Sequence, residues 1–112
     1  MENMEIRIVG GATVVKMPKS VDSTTAGDVE TQLLSAIKEG ANKLVCDFTA
    51  NNYVSSAGLR VFMEASNEIE EKKGKMAIFG LNEVVYEVFD ITGFTDVFPI
   101  VGSEKEALDS VR

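Results

Sequence analysis

Residues 43–48, which read KLVCDF, form a short and nearly continuous apolar run between two segments with helical periodicity. A run of this length is typical of a strand that is buried on both faces of a sheet. The segment before it, residues 25–39, carries apolar side chains on one helical face and is followed by Gly40, a stop signal. The segment after it keeps the same period from residue 57 to about residue 71. A buried strand between two such helices indicates an α/β fold with a mostly parallel sheet.

The start of the chain is predicted to be an antiparallel hairpin. Residues 5–9 alternate polar and apolar side chains, and residues 12–17 form a second strand-like run that Pro18 ends. Gly10 and Gly11 lie between these two runs. Two glycines in this position are typical of a two-residue hairpin turn.

The second half of the chain continues the alternation of strands and helices. Residues 75–79 form a strand pattern, Asn82 caps a third helix, and Ser103 heads a terminal helix. Between these helices, residues 96–101 hold a short last strand, which Pro99 marks as peripheral. The aromatic residues between the third helix and this strand are expected to pack together under the terminal helix: Phe89, Phe94 and Phe98.

The complete order of elements is therefore β-β-α-β-α-β-α-β-α. It predicts a single α/β domain over residues 1–112. Its sheet is mixed but mostly parallel, has the N-terminal hairpin at one side, and is covered by about four helices.

The charge balance and the absence of histidine exclude several classes of function. Eleven Lys and Arg residues stand against 18 Asp and Glu, and the net charge of -7 argues against nucleic acid and anionic membrane surfaces as partners. Without histidine, the chain lacks the usual general base and every histidine metal site. We therefore expect no enzymatic activity, no metal and no other cofactor.

The remaining compositional features point to the cytoplasm. Cys46 is the single cysteine, so an internal disulfide is impossible, and its apolar neighbours predict an inert buried thiol. No run of 18 apolar residues occurs, and the first residues lack the order of a signal peptide. A cytoplasmic protein is the expectation.

The segment YVSSAGLR, residues 53–60, places two serines where a loop meets the second helix. One interpretation is a helix cap, since a serine hydroxyl accepts a hydrogen bond from a first-turn N–H group. The other is a phosphorylation site, because a phosphate is favoured at the positive end of a helix. Arg60 could reach a phosphate on Ser56 from the next turn. The small first turn, which contains Gly58 where a capping box would have Glu or Gln, leaves the backbone approachable by a partner.

Three segments of the chain carry a resemblance to a known family. Asp47 ends the central strand, and YVSSAGL opens the second helix. The segment VDSTTA, residues 21–26, precedes the first helix, and GKMAIFGLNEVVYEVFDITGFTDVFPI makes up most of the closing half. In this combination the chain resembles the STAS domains of the anti-sigma factor antagonist family over almost its whole length.

The resemblance implies a fold, a function and a set of partners. Members of the family are small bacterial proteins that bind an anti-sigma factor and so free a sigma factor for transcription. The family's phosphorylated serine corresponds to Ser56, with Ser55 as the alternative acceptor. The implied partners are an anti-sigma factor of the serine-kinase type, which phosphorylates and releases the antagonist, and a PP2C-type phosphatase, which resets it. The implied docking surface comprises Asp22, Ser23, Thr25, Ser55, Ala57, Gly58 and Arg60.

Two positions depart from the family pattern. Ser55 stands where the family usually has Asp, and Arg60 stands where it commonly has Gly. The first change removes a carboxylate beside the acceptor. It therefore keeps open a second interpretation, in which the domain is a docking subunit without phosphorylation, in a lipid ABC transporter or in a stress-sensing complex.

Overall fold

The computed structural model describes residues 4–112, which form a five-stranded sheet, a separate two-stranded sheet and four α-helices. The strands are β1 (Ile6–Val9), β2 (Ala12–Lys16), β3 (Ser20–Val21), β4 (Lys43–Asp47), β5 (Tyr53–Val54), β6 (Lys75–Phe79) and β7 (Ile100–Val101). The helices are α1 (Ala26–Lys38), α2 (Ser56–Glu71), α3 (Glu83–Ile91) and α4 (Glu104–Ser110), with a 3-10 turn at Phe94–Asp96.

The large sheet has the strand order β1-β2-β4-β6-β7, and only the β1–β2 pair is antiparallel. The predicted mixed, mostly parallel sheet with an N-terminal hairpin and four covering helices is therefore confirmed. Gly10 and Gly11 form the hairpin turn with φ angles of 57° and 82°, a conformation that residues with side chains rarely adopt. The central strand β4 is buried on both faces, as predicted from its apolar run.

The two faces of the sheet carry two separate cores, because alternate residues of each strand point to opposite sides. On β4, Leu44 and Cys46 join the larger core, whereas Val45 joins the smaller one. Helices α1, α2 and α3 cover the larger core, and α4 covers the smaller one through Ala107 and Val111. Cys46 is fully buried, and burial together with the nearby Asp47 charge raises the pKa of its thiol to about 12.

Five phenylalanine rings form the centre of the larger core. Phe89 of α3 lies 5.8 Å from Phe48, 6.0 Å from Phe62 and 5.6 Å from Phe94, measured between ring centroids. Phe94 continues the chain of contacts to Phe98 at 6.0 Å. The predicted packing of Phe89, Phe94 and Phe98 is thus confirmed. Their expected place under the terminal helix is wrong, since α4 lies on the opposite face of the sheet.

The structure differs from the predicted element order at three places. Strands β3 and β5 pair with each other in parallel and were not predicted, because two residues are too few to show a period. The last strand, predicted over residues 96–101, is reduced to Ile100–Val101 at the edge of the sheet. Residues 94–96 form the 3-10 turn instead, since Gly93 ends α3 with a φ of 84° and the Phe94 side chain then enters the core. No helix within residues 4–112 is both long and apolar enough to cross a membrane.

Candidate functional site

The pairing of β3 with β5 brings the loop before α1 next to the start of α2. Ser20 is in register with Tyr53, and Val21 is in register with Val54. The backbone N–H of Ser55 then donates to the Val21 carbonyl over 2.9 Å, which extends the contact to the first residue outside α2. Two segments about 30 residues apart in the chain, both assigned to the site from sequence, therefore form one surface.

Gly58 allows this close approach. A Cβ atom at this position would lie 2.4 Å from the Val21 carbonyl oxygen and 3.0 Å from Cγ1 of Val54. Only a residue without a side chain permits the first turn of α2 to touch β3. The expectation that Gly58 opens the backbone to a partner is therefore wrong, because its Cα faces β3 and the residue is buried.

The two serines have different structural roles. Ser55 is the N-cap of α2, is half-buried, and its hydroxyl accepts a hydrogen bond from the Gly58 N–H over 3.2 Å. Ser56 is the first residue of the helix, and its side chain is exposed. The cap interpretation is therefore confirmed for Ser55, whereas Ser56 presents an exposed hydroxyl.

The cap role of Ser55 predicts unequal effects of matched substitutions. We expect Ser55→Ala to lower the free energy of unfolding by about 1 kcal/mol, because the Gly58 N–H loses its acceptor. We expect Ser55→Asp to keep the cap and to retain or slightly raise stability, since a carboxylate is favoured at a helix N-terminus. Urea unfolding of the two variants, with Ser56→Ala as the exposed control, measures the difference. Equal losses in Ser55→Ala and Ser56→Ala would contradict the assignment of the cap.

Asp22 organises the loop between β3 and α1. Its Oδ2 accepts from the Ser20 hydroxyl at 2.6 Å, and its Oδ1 accepts from the Thr24 N–H at 2.8 Å and the Thr24 hydroxyl at 2.6 Å. The Thr25 hydroxyl accepts from the Asp22 N–H and donates to the Ser20 carbonyl. Asp22 does not cap α1, because Thr25 is the N-cap residue and makes no side-chain cap bond. Asp22 instead stabilises the turn that precedes the helix.

This network keeps Asp22 charged. The hydrogen bond from the Ser20 side chain, followed by those from the Thr24 side chain and backbone, lowers the pKa of Asp22 from 3.8 to about 2. Near neutral pH the loop beside the α2 N-terminus therefore carries a fixed, half-exposed negative charge. The first turn of α2 itself contains no acidic residue.

The lowered pKa of Asp22 predicts how stability changes with pH. Because the folded-state pKa is below the unfolded value, the contribution of Asp22 is present above about pH 4 and is lost as the pH falls towards 2. We expect Asp22→Asn to flatten the fall in urea midpoint between about pH 5 and pH 2.5. Asp109 should retain part of the slope, because hydrogen bonds from Arg112 and Lys105 also lower its pKa. An unchanged slope in Asp22→Asn would show that the network does not stabilise the carboxylate.

The other residues assigned to the site from sequence surround this centre. Ser23 and Arg60 are exposed, and Ala57 is half-buried. The three ion pairs formed within residues 4–112 do not involve Arg60, which leaves its guanidinium open to solvent. Asp47 is buried, and its Oδ1 accepts from the N–H and the hydroxyl of Thr49, so it shapes the loop behind the site.

Two residues of the site were missed from sequence. Asn51 is buried, and its Nδ2 donates to the Pro18 carbonyl at 2.8 Å and to the Tyr53 carbonyl at 3.2 Å. It thereby ties the segment that follows β2 to β5. A polar loop residue gives no sequence signal for this role. Tyr53 is 54% exposed beside the α2 N-terminus. Because β5 has only two residues, the sequence showed no alternation from which the orientation of this side chain could be predicted. No group of three potential metal-binding side chains occurs in the described part of the chain.

Comparison with known proteins identifies the family. The STAS domain family matches residues 3–107, almost the whole chain. This chain belongs to the STAS domain family. The match covers both halves of the site, the loop that contains Asp22 and the start of α2. The family resemblance seen in the sequence is therefore confirmed.

Curated relatives of this STAS domain include proteins named as anti-sigma factor antagonists. BtrV of Bordetella bronchiseptica, which bears the provisional name of anti-sigma factor antagonist, is 30% identical over 99 residues, or 88% of this chain and 85% of the relative. The anti-sigma-B factor antagonist of Listeria monocytogenes is 33% identical over 87 residues, or 77% of this chain and 75% of the relative.

Solved structures share the fold of this STAS domain. An anti-sigma factor antagonist from Mycobacterium paratuberculosis superposes with a TM-score of 0.89 at 21% identity, covering 98% of this chain and 93% of its own. The antagonist SpoIIAA in its phosphorylated form, a Bacillus cell fate determinant, has a TM-score of 0.75 at 18% identity, covering 97% and 99% of the two chains. The STAS fold therefore extends over essentially all of the chain.

Proposed function

We propose that this STAS domain is an anti-sigma factor antagonist that is switched by phosphorylation of Ser56. In the unphosphorylated state it binds an anti-sigma factor of the serine-kinase type and so releases a sigma factor for transcription. The kinase transfers phosphate to Ser56 and dissociates, and a PP2C-type phosphatase restores the binding form. The names of the curated relatives and the existence of a phosphorylated form of SpoIIAA support this proposal.

The observation that carries the proposal is that the two serines have different structural roles. The Ser55 hydroxyl accepts a hydrogen bond from the Gly58 N–H and so stabilises the start of α2. The Ser56 hydroxyl, by contrast, lies at an exposed position. An acceptor that a kinase must reach has to be exposed, and its modification must leave the helix intact. Ser56 meets both conditions, and Ser55 meets neither.

The electrostatics of the α2 N-terminus favour a phosphate on Ser56. The N–H groups of Ser56 and Ala57 have no acceptor within the helix, and the helix dipole is positive at this end. No acidic side chain of the first turn competes for these groups. A phosphoserine adds about 1.5 to 2 negative charges at neutral pH. We therefore expect the domain to stay folded when phosphorylated.

The same modification changes the surface that a partner meets. The unmodified surface combines the small Ser56 side chain, the exposed Arg60 and the ionised Asp22 of the neighbouring loop. A phosphate adds volume and places a second negative charge near Asp22. A partner surface shaped around the bare hydroxyl then loses its fit, which is the expected basis of release.

A phosphorylation assay tests the proposal. The protein is incubated with ATP and the serine-kinase anti-sigma factors of its source organism, and the phosphate is mapped by mass spectrometry. We expect phosphate on Ser56 in the wild type and in Ser55→Asp, which keeps the cap, and none in Ser56→Ala. We expect Ser56→Glu to bind the kinase at least tenfold more weakly than Ser56→Ala, a difference of about 1.4 kcal/mol in calorimetry.

Two outcomes would overturn parts of this proposal. If Ser56→Ala were phosphorylated on Ser55 at the wild-type rate, the assignment of Ser56 as the acceptor would be wrong. Tight binding to a kinase without any phosphate transfer would favour the alternative, a docking subunit of a transporter or stress-sensing complex. This alternative is favoured by one observation: Ser55 stands where the family usually has Asp.

A further inference from the structure

Strand β1 is one of the two edges of the five-stranded sheet within residues 4–112, and it exposes two large apolar side chains. Ile6 is 47% exposed and Ile8 is 71% exposed. Exposed edge strands are commonly protected by Lys, Pro or a bulge. Residues 6–9 of β1, which read IRIV, contain neither Lys nor Pro, and their register with β2 is regular. This edge is therefore open to pairing with another strand.

The direction of the backbone groups follows from the hairpin. The Lys16 N–H donates to the Glu5 carbonyl over 2.9 Å, so the backbone of Glu5 faces β2. Because antiparallel ladders alternate, Arg7 and Val9 also face β2, whereas the N–H and C=O groups of Ile6 and Ile8 point to the free edge. The Met4 N–H, which points away from β2 like theirs, donates to Oε1 of Gln32 on α1. The edge thus offers a short ladder of hydrogen-bonding groups.

A groove lies beside this edge. It has a volume of about 580 Å³ and is open to solvent, with Met4, Ile6 and Ile8 on one side and Gln32 and Ala36 of α1 on the other. The isoleucines project to this face of the sheet, whereas Glu5 and Arg7 project to the opposite face. An added strand would therefore meet apolar side chains on one face and charges on the other.

We propose that β1 pairs with β1 of a second copy of this chain, antiparallel and around a two-fold axis at Ile6. In this register Ile6 is opposite Ile6 of the second copy, and Ile8 is opposite its Met4. The N–H and C=O groups of Ile6 then bond to those of Ile6 of the second copy, and the Ile8 N–H donates to the Met4 carbonyl of the second copy, while the Met4 N–H keeps its bond to Gln32. Glu5 lies directly opposite Arg7 of the second copy, and two-fold symmetry repeats this pair.

Charge complementarity selects this register and this partner. An axis at Arg7 would place the two Arg7 side chains opposite each other, where like charges are destabilising. An axis at Ile8 would place Arg7 opposite Val9 and leave Glu5 without a partner. Only the axis at Ile6 makes the edge complementary to itself. Arg7 already contacts Glu104 of α4, but its guanidinium has five donors and can bind both carboxylates.

The arrangement joins the two sheets into one of ten strands and leaves both phosphorylation sites free. Because the two copies of β1 run antiparallel, the parallel strands of the two copies also run in opposite directions. Each α2 begins near the C-terminal ends of the parallel strands of its own copy, so the two α2 N-termini lie at opposite edges of the joined sheet. The dimer would be bivalent, and the inference does not depend on the proposed function.

Sedimentation equilibrium of the full chain at about 0.15 M salt tests this inference. We expect the wild-type mass to rise with concentration from 12.1 kDa towards twice that value. We expect Glu5→Lys and Arg7→Glu each to weaken the dimer at least about tenfold, because each places two like-charged pairs at the interface. The double variant Glu5→Lys/Arg7→Glu reverses both charges and should restore dimerisation.

Matched controls separate the interface from the fold. Glu104→Gln removes the intramolecular partner of Arg7 without touching the edge, so dimerisation should persist. Ile8→Lys should produce a monomer with an unchanged far-UV circular dichroism spectrum. A wild-type protein that is monomeric up to millimolar concentration would overturn the proposal. So would a dimer that neither single charge reversal weakens, or one that the double variant does not restore.

Discussion

Replacing Gly58 by alanine is expected to lower the free energy of unfolding by about 2 kcal/mol, although alanine is the better helix former. The added Cβ would lie 2.4 Å from the Val21 carbonyl oxygen, so α2 and β3 must move apart. Overpacking of this kind costs about 1–3 kcal/mol or more, and the helical preference of alanine offsets up to about 1 kcal/mol. The change should lower Tm by roughly 8 °C, measured by calorimetry.

Gly27→Ala is the matched control for this prediction. Gly27 also lies in the first turn of a helix, but a Cβ there meets nothing within 4 Å. We expect this variant to be as stable as the wild type or up to about 1 kcal/mol more stable, because only the helical preference changes. If the two alanine variants shift Tm in the same direction, the contact between α2 and β3 does not limit the residue at position 58.

Gly58→Ala should also slow the proposed phosphorylation, since it separates the two halves of the candidate site. The hydrogen bond from the Ser55 N–H to Val21 depends on the same close approach. We therefore expect slower phosphorylation of Ser56 at temperatures where the variant is still folded, while Gly27→Ala keeps the wild-type rate. This readout distinguishes a local displacement from a general loss of stability.

Replacing Phe89 by alanine is expected to have the largest effect on stability, a loss of about 3–5 kcal/mol. The Phe89 ring is fully buried and contacts the rings of Phe48, Phe62 and Phe94, which come from three different segments. Its removal leaves a cavity that rigid neighbours cannot fill. Since domains of this size are stable by only about 5–15 kcal/mol, the variant should be close to unfolding at 37 °C.

Urea unfolding of Phe89→Ala and Phe89→Leu gives the measurement. The leucine variant retains most of the apolar volume and should lose only about 1.5 kcal/mol. Hydrogen exchange should show the earliest loss of protection in α3, because Phe89 and Val85 are its only fully buried side chains within the described structure. Equal losses from the alanine and leucine variants would indicate that packing volume does not determine the contribution of this ring.

The sequence was informative about the fold wherever a segment was long enough to show a period. The apolar run of β4, the two glycines of the hairpin and the caps Asn82 and Ser103 all predicted elements that the structure contains. Strands β3 and β5 were not predicted, because each has only two residues and their pairing joins segments that are far apart in the sequence. The side of the sheet covered by α4 could not be predicted either, since strand order decides it.

The sequence indicated which segments form the candidate site, but it did not show the structural role of each residue in it. Two adjacent serines are equally good caps, and only the hydrogen bond from Gly58 assigns that task to Ser55. The small size of Gly58 indicated an accessible backbone, whereas the structure shows that the space is filled by β3. The role of Asn51 depends on carbonyl groups of two distant segments, which no local pattern records.

The miniature sheet of β3 and β5 has a consequence for how fast partners can be exchanged. Its two strands hold the loop before α1 and the start of α2 in one shape, so if these segments bind the proposed partner, little conformational entropy remains to be lost in the complex. Association should then resemble the meeting of two rigid bodies, with a rate constant that varies little from one partner to the next. If several proteins compete for this surface, the dissociation rate of each complex would then decide which one occupies it.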